Sequence, residues 1–172
     1  MDVNIEGLYV RSGIISTYTG KYLDTRDPQP DQICIEDIAH QLSMQPRFGG
    51  RLQDYYCVAQ HSIECALLLP MELSLAGLLH DASEAYICDI PSPIKSELPE
   101  YYSIEERIMN AISFKFGVMF DDPEIKRIDK HMLELEWSTL VKNHNRHRLC
   151  CMSQRESEIK FLKIFNVLER KI

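Results

Sequence analysis

The sequence has no apolar run near the roughly 20 residues needed to span a bilayer, and Met1-Asp2-Val3-Asn4 opens neither a basic region nor an apolar signal core. The expected location is therefore the cytoplasm, with no membrane partner. Cys-x-x-Cys pairs are also missing. The six cysteines (Cys34, Cys57, Cys65, Cys88, Cys150, Cys151) read as reduced thiols rather than a disulfide framework or zinc knuckle. Cys57 and Cys65 fall inside a helical pattern and read as small apolar core groups. Nor is there an excess of basic residues: the formal net charge is −7, which argues against a general nucleic-acid coat. A small phosphate ester is not excluded, because a divalent ion and a few local cations can hold it, and acidic surface beyond a Debye length of roughly 8 Å matters little. No internal repeat, low-complexity tract or long linker divides the chain. With 172 residues, 45% of them hydrophobic, the expectation is a single soluble domain over residues 1–172.

The first 33 residues differ from the rest. Gly13-Ile14-Ile15-Ser16-Thr17-Tyr18 and Lys21-Tyr22-Leu23 are β-branched and aromatic around Thr19-Gly20, which predicts a short hairpin followed by a Pro28-Gln29-Pro30 connector. Residues 34–172 are helical in period. Ile35, Ile38, Ala39 and Leu42 mark a helix of about ten residues ending before Pro46. A second helix is expected from Cys57 to Leu69 and a third from Glu72 to Cys88, with Leu75, Leu78, Leu79 and Ala82 buried. Pro91 and Pro93 then predict an extended or turning segment. Ser103-Ile104-Glu105-Glu106 has the form of a capping box, so a fourth helix is placed from there to Gly117. Asp122-Pro123 starts a fifth that runs toward Lys142, and Ser153-Gln154-Arg155-Glu156 caps a last one. The fold class is all-α, a compact helical bundle with a small N-terminal β-hairpin.

The chemistry concentrates in Leu78-Leu79-His80-Asp81-Ala82-Ser83-Glu84. An imidazole and a carboxylate stand together at the edge of an apolar segment, and both are donors that first-row divalent metals accept. Neighbours on a helix diverge by about 100°, so both reach one ion only if it sits between helices, and other helices must contribute. His61 lies mid-pattern on the second helix and Asp129 mid-pattern on the fifth. Taken alone, His61 has the plainer explanation of a satisfied core histidine, and Asp129 that of a surface ion pair with Lys126 or Lys130. His40, His131, His144 and His147 are expected to be structural or solvent-exposed, His131 because it points to a different helix face from Asp129.

The ordered set Ile35-Glu36-Asp37-Ile38-Ala39, Arg47-Phe48-Gly49-Gly50, Val58-Ala59-Gln60-His61-Ser62, Leu78-Leu79-His80-Asp81-Ala82-Ser83-Glu84-Ala85-Tyr86, Asp89-Ile90-Pro91-Ser92-Pro93-Ile94-Lys95 and Ile128-Asp129 resembles the small bacterial and phage HD-domain phosphohydrolases. The resemblance covers about three-fifths of the chain. It departs at Cys57, where such proteins often carry Ser before Val-Ala-Gln-His. It implies an HD-domain bundle in which His61, His80, Asp81 and Asp129 bind one divalent metal (cobalt, zinc, manganese or magnesium). It also implies that Glu84 and Asp89 act near the attacking water and leaving oxygen or hold additional metal ions.

A phosphate chain needs cations outside the metal shell, and Arg47, Lys95 and Lys126 are the candidates; Lys126 precedes Asp129 by three residues and shares its helix face. Phe48 and Pro93 are placed to flank a base, and Gly50 to leave room for a purine, against the alternative that both apolar residues are core.

Two enzymatic readings share this site by resemblance. One is a deoxynucleoside triphosphate triphosphohydrolase of the phage type, with dATP favoured and triphosphate as product; three cations tip the reading toward it. The other is a 5′-nucleotidase acting on deoxynucleoside monophosphates. A non-catalytic nucleotide-binding protein of the same fold is a third, disfavoured because His61, His80, Asp81, Asp129 and Glu84 are all in place. The expected partners are a deoxynucleotide and further copies of the chain, as a dimer or hexamer. Phe161, Ile164, Phe165 and Leu168 on the last helix suggest that association.

Overall fold

The hairpin is fastened to the helices through one buried carboxylate. In the computed structural model, which describes residues 13–142 and 150–170, β1 (Ile14–Ser16) and β2 (Tyr22–Asp24) pair antiparallel with Ile15 opposite Leu23. His144 and His147 lie outside the described residues. The turn between the strands closes through Thr17 N donating to Lys21 O at 2.9 Å and Gly20 N donating to Thr17 O at 3.0 Å. Asp37, fully buried on α1 (Ile35–Met44), accepts from the backbone N of Thr19 at 2.6 Å and from its hydroxyl at 2.9 Å. Leu23 is thereby seated in the core.

Seven further helices follow: α2 (Val58–Leu68), α3 (Met71–Leu79), α4 (Glu84–Ile87), α5 (Ser92–Lys95), α6 (Pro99–Phe116), α7 (Pro123–Glu136) and α8 (Gln154–Glu169). α2 is central and packs against α1, α3, α7 and α8. Its crossing with α3 is close at Gly77, where an added Cβ would stand 3.4 Å from the Cα of Ala66 and collide with the Leu69 side chain. One continuous apolar core runs from Leu23 through Ile38, Ile63, Leu78 and Ile112 to Phe161, so the mostly helical, compact bundle with its small hairpin is as expected. No helix among the described residues is long and apolar enough to cross a membrane.

Several boundaries move. The helix expected over residues 72–88 is broken: α3 stops at Leu79, residues 80–83 run as turns, and α4 resumes at Glu84. α6 begins at Pro99, four residues before the expected cap, because proline at the first helical turn needs no N–H partner there. The Ser103 hydroxyl instead turns back to the Pro99 carbonyl at 3.5 Å. The segment after Pro91 contains the short α5. Gly117 closes α6 in the left-handed region (φ 64°), and α7 starts at the Asp122 cap and passes at Glu136 into a π-helical turn, Trp137–Lys142. The Ser153–Glu156 capping box forms as read.

On α8, Phe161, Phe165 and Leu168 are buried and Ile164 is half-buried, all against this chain's own core. The four residues that suggested association are thus used within the fold, while Ile159 and Val167 on the same helix are exposed.

Asp37→Ala removes both anchors of the hairpin and leaves the Thr19 N–H without its acceptor. Charge-assisted hydrogen bonds are worth about 1.5–3 kcal/mol each, so the variant should lose about 2–3 kcal/mol of unfolding free energy in urea titration. A midpoint equal to wild type would show that Leu23 packing, the Tyr18–His40 stack and the Arg107–Thr25 hydrogen bond hold the hairpin without it.

Candidate metal centre

Three elements deliver the expected ligands to one point. His61 comes from the middle of α2 and is fully buried, His80 and Asp81 leave the end of α3, and Asp129 projects from α7. The Nε2 atom of His61 is 3.0 Å from Asp129 Oδ1 and 3.7 Å from Asp81 Oδ2. That of His80 is 3.3 Å from Asp81 Oδ2 and 3.7 Å from Asp129 Oδ1. Metal–nitrogen and metal–oxygen bonds of about 2.0–2.2 Å put ligands of one ion roughly 3 Å apart at right angles and roughly 3.4–3.5 Å apart at the tetrahedral angle. All four separations fall in or near that range. His80 Nε2 is buried with no hydrogen-bond partner among the described residues, the state of a donor whose natural partner is an ion. The donor set therefore fits a divalent metal. A neighbouring thiol, Cys65 Sγ, lies 3.6 Å from His61 Nε2, and His61, Cys65 and His80 form a group of donor atoms within 4.8 Å of one another.

The imidazoles are oriented from behind. His80 Nδ1 donates to the Gly77 carbonyl at 2.8 Å, which turns Nε2 to the site. His61 Nδ1 is 2.6 Å from Oε1 of Glu136, a fully buried carboxylate that also accepts from the Tyr56 hydroxyl at 3.0 Å and from Arg47 through Nε at 3.0 Å and Nη2 at 2.9 Å. Glu136 was not among the residues singled out from sequence. The available signal was its spacing from Asp129: seven residues are two helical turns, so Asp129 and Glu136 meet the two ring nitrogens of His61 from the same side of α7. Glu136→Gln keeps the shape but removes the charge that fixes the His61 tautomer. Carboxylates in this position typically contribute 10–100-fold to metal affinity, so zinc affinity measured by competition with a chelating dye should fall about that much. Wild-type affinity in this variant would remove Glu136 from the account.

Burial and the nearby Arg47 oppose protonation of His61, yet Glu136 and Asp129 outweigh them and hold its pKa well above the usual value. His80 is likewise buried, and Asp81 and Asp129 raise it. Burial works against the charged forms of Asp81 and Asp129 too, but the two imidazoles hold both carboxyls well below the ordinary range. Packed carboxylates thus draw protons onto the histidines when no other cation is present, and a metal must displace them. Zinc binding should release protons and weaken by about tenfold per pH unit for each proton displaced as pH falls from the raised histidine values toward 6. Calorimetry in buffers of different ionisation enthalpy measures the release; a buffer-independent enthalpy would contradict it.

Glu84 is buried at the start of α4. Burial first, then the charges of Asp81 and Asp89, push its carboxyl well above the ordinary range, and its Oε2 has no hydrogen-bond partner among the described residues. Burial also raises Asp89. Gln45 braces this segment: its amide nitrogen donates to Glu84 O at 2.7 Å and its carbonyl accepts from Asp89 N at 2.8 Å. Between them Cys88 holds φ 69°, ψ 152°, a region nearly reserved for glycine. Phe48, after Arg47, is also left-handed at φ 55°. Such residues cost about 1–3 kcal/mol each and persist where the surroundings force them; here both stand in loops beside the metal donors.

The expected phosphate and base contacts are placed less uniformly. Arg47 spends Nε and Nη2 on Glu136 and leaves Nη1 3.9 Å from Asp81. Lys95 is paired with Glu105 and sits over the rings of Tyr101 and Tyr102. Lys126 is exposed. Phe48 is half-buried, 5.9 Å ring to ring from the half-exposed Trp137, an aromatic neighbour that sequence reading did not supply. Pro93 is exposed. Gly50 has φ 73°, so its glycine is accounted for by backbone conformation, and an added Cβ would only touch Pro46 at 3.6 Å.

No protein-family model matches the chain. It is 44% identical over 104 residues to the uncharacterized protein YfdR of Escherichia coli K12, a match covering 60% of this chain and 58% of that protein. It is 36% identical over 110 residues to an uncharacterized protein of Rhodobacter capsulatus, covering 58% of this chain and 56% of the relative. The chain thus spans somewhat more than half the length of these curated relatives.

Proposed function

We propose that this protein is a metal-dependent phosphohydrolase of the HD type that cleaves the 5′ phosphate ester of deoxynucleotides in the cytoplasm. The observation that supports it most is the convergence of two imidazoles and two carboxylates from three separate elements, with His80 Nε2 buried between the carboxylates of Asp81 and Asp129 without a hydrogen bond to either, and a second pair of carboxyls, Glu84 and Asp89, alongside.

His61, His80, Asp81 and Asp129 would hold the ion. When bound, it polarises the phosphorus–oxygen bond and supplies a water acidified enough to attack near neutral pH. The chain's own groups do the rest. Glu136 and the Gly77 carbonyl keep both imidazoles aimed, and Arg47 compensates the charge of Asp81 and Glu136. Glu84, kept protonated by burial and its carboxylate neighbours, donates its proton to the leaving 5′ oxygen, and Asp89 holds the second acidic position. Phe48 and Trp137 present apolar faces on which a base can stack.

For the phosphate count, the triphosphate reading with dATP rests on Arg47, Lys95 and Lys126 together. A specific observation favours the second reading, hydrolysis of deoxynucleoside monophosphates: Arg47 and Lys95 are already engaged by Glu136 and Glu105, and a monophosphate needs neither of them released.

The purified protein should be incubated with each dNTP and dNMP in cobalt, manganese or magnesium and the phosphate product identified. Tripolyphosphate supports the first substrate; orthophosphate from monophosphates alone selects the second. His80→Ala should abolish turnover, and Glu84→Gln should lower kcat by about 100-fold or more with little change in metal content. No turnover with any nucleotide, and nucleotide binding unchanged in His80→Ala, would leave a binding protein instead.

A further inference from the structure

We propose that Cys65 is a fifth protein donor to this ion, and that its sulfur makes the site select zinc or cobalt over magnesium and manganese. The inference rests on the reading that a divalent ion lies between His61 and His80; it does not depend on which ester, if any, is hydrolysed.

Cys65 follows His61 by four residues on α2, so its side chain stands one turn along the same face. It is almost fully buried, where a cysteine ordinarily serves as a small apolar filler. Its surroundings are those of a ligand: Sγ lies 3.6 Å from His61 Nε2, and a donor atom of His80 is within 4.8 Å. Zinc–sulfur bonds of about 2.3 Å and zinc–nitrogen bonds of about 2.0–2.1 Å separate S and N by about 3.1 Å at right angles and about 3.8 Å at 120°, the neighbouring angles of a five-coordinate site, and the observed 3.6 Å falls between them. The side chain is therefore at coordination distance from its neighbour without rearrangement of α2. A second observation pointing to an ion is His80 Nε2, buried and facing Asp81 and Asp129 at 3.3 and 3.7 Å without a hydrogen bond among the described residues. Cys57, four residues before His61, provides the contrast. It is equally buried, but among the described residues it belongs to no group of metal donors.

The step balances simply. The S–H bond breaks, its proton leaves to solvent, and the sulfur electron pair forms the bond to the metal. Arg47, 3.9 Å from Asp81, offsets part of the negative charge that a thiolate adds to two carboxylates. A site of imidazoles and carboxylates alone accepts hard and borderline ions alike, whereas a thiolate favours the softer ones, zinc and cobalt, over magnesium and manganese.

The full-length protein, stripped by chelation and reloaded with cobalt, should show a near-ultraviolet sulfur-to-cobalt charge-transfer band. Cys57→Ala should keep the band and Cys65→Ser should lose it. Zinc affinity should fall at least tenfold in Cys65→Ser, while manganese affinity changes less than threefold. X-ray absorption at the zinc edge of the wild-type protein tests the same bond without a variant and should find one sulfur at about 2.3 Å. A nitrogen and oxygen shell with no sulfur, or a band that survives Cys65→Ser, overturns the proposal. These readouts are independent of turnover: absent hydrolysis with the sulfur present would defeat the phosphohydrolase reading alone, and hydrolysis with no sulfur would defeat this one alone.

Discussion

The contact on which the site depends is the one between His61 Nδ1 and Glu136, made where neither side chain reaches water. A carboxylate there carries a large desolvation cost that only several donors can offset, and Glu136 receives them from His61, Tyr56 and Arg47. Those donors come from α2, from the segment leading into it and from the turn at Arg47–Gly50, so satisfying one charge pins three pieces of chain against α7. Removing one member of such a buried pair costs about 3–5 kcal/mol. The direction of the His61 ring, and with it the position of any bound ion, follows from that arrangement.

Around this anchor the charges are arranged for a cation. Asp81 and Asp129 lie between two histidines that hold protons more firmly than usual because the charges of Asp81, Asp129 and Glu136 outweigh the opposing effect of burial. The neighbouring pair behaves oppositely: burial first, then the charge of Asp81, pushes Glu84 and Asp89 toward their neutral forms. Two sets of carboxyls in one site are thus driven in opposite directions by their environment, a division of roles suited to metal binding by one set and proton donation by the other. The strained backbone at Cys88 and the double bracing by Gln45 hold the second set against the first.

Much of the scaffold was legible in the chain. The apolar periodicities of α1, α2 and α8, the Asp122-Pro123 and Ser153 caps, the Gly117 stop and the Thr19-Gly20 turn rest on local chemistry, which requires no knowledge of distant partners. The break after Leu79 was not legible. Leu78, Leu79 and Ala82 continue a helical apolar pattern, and the chain departs from it because His80 and Asp81 meet groups on α2 and α7. Ser103 failed as a cap for a related reason: Pro99, upstream, already begins the helix.

By itself the sequence determined which residue types are present in which order: a helical core with a hairpin, and the four residues His61, His80, Asp81 and Asp129 as a candidate donor set. Their sequence separations and helical phases were enough to require an interhelical site. Only the tertiary structure decided what stands beside them. Glu136 and Cys65 read as an ordinary helix glutamate and a core thiol until packing places one behind the His61 ring and the other 3.6 Å from its Nε2. Arg47 and Lys95 read as free cations until Glu136 and Glu105 engage them. The physical reason is common to all four: their ionisation and availability are set by burial and by through-space charges on other elements, quantities that no local pattern encodes.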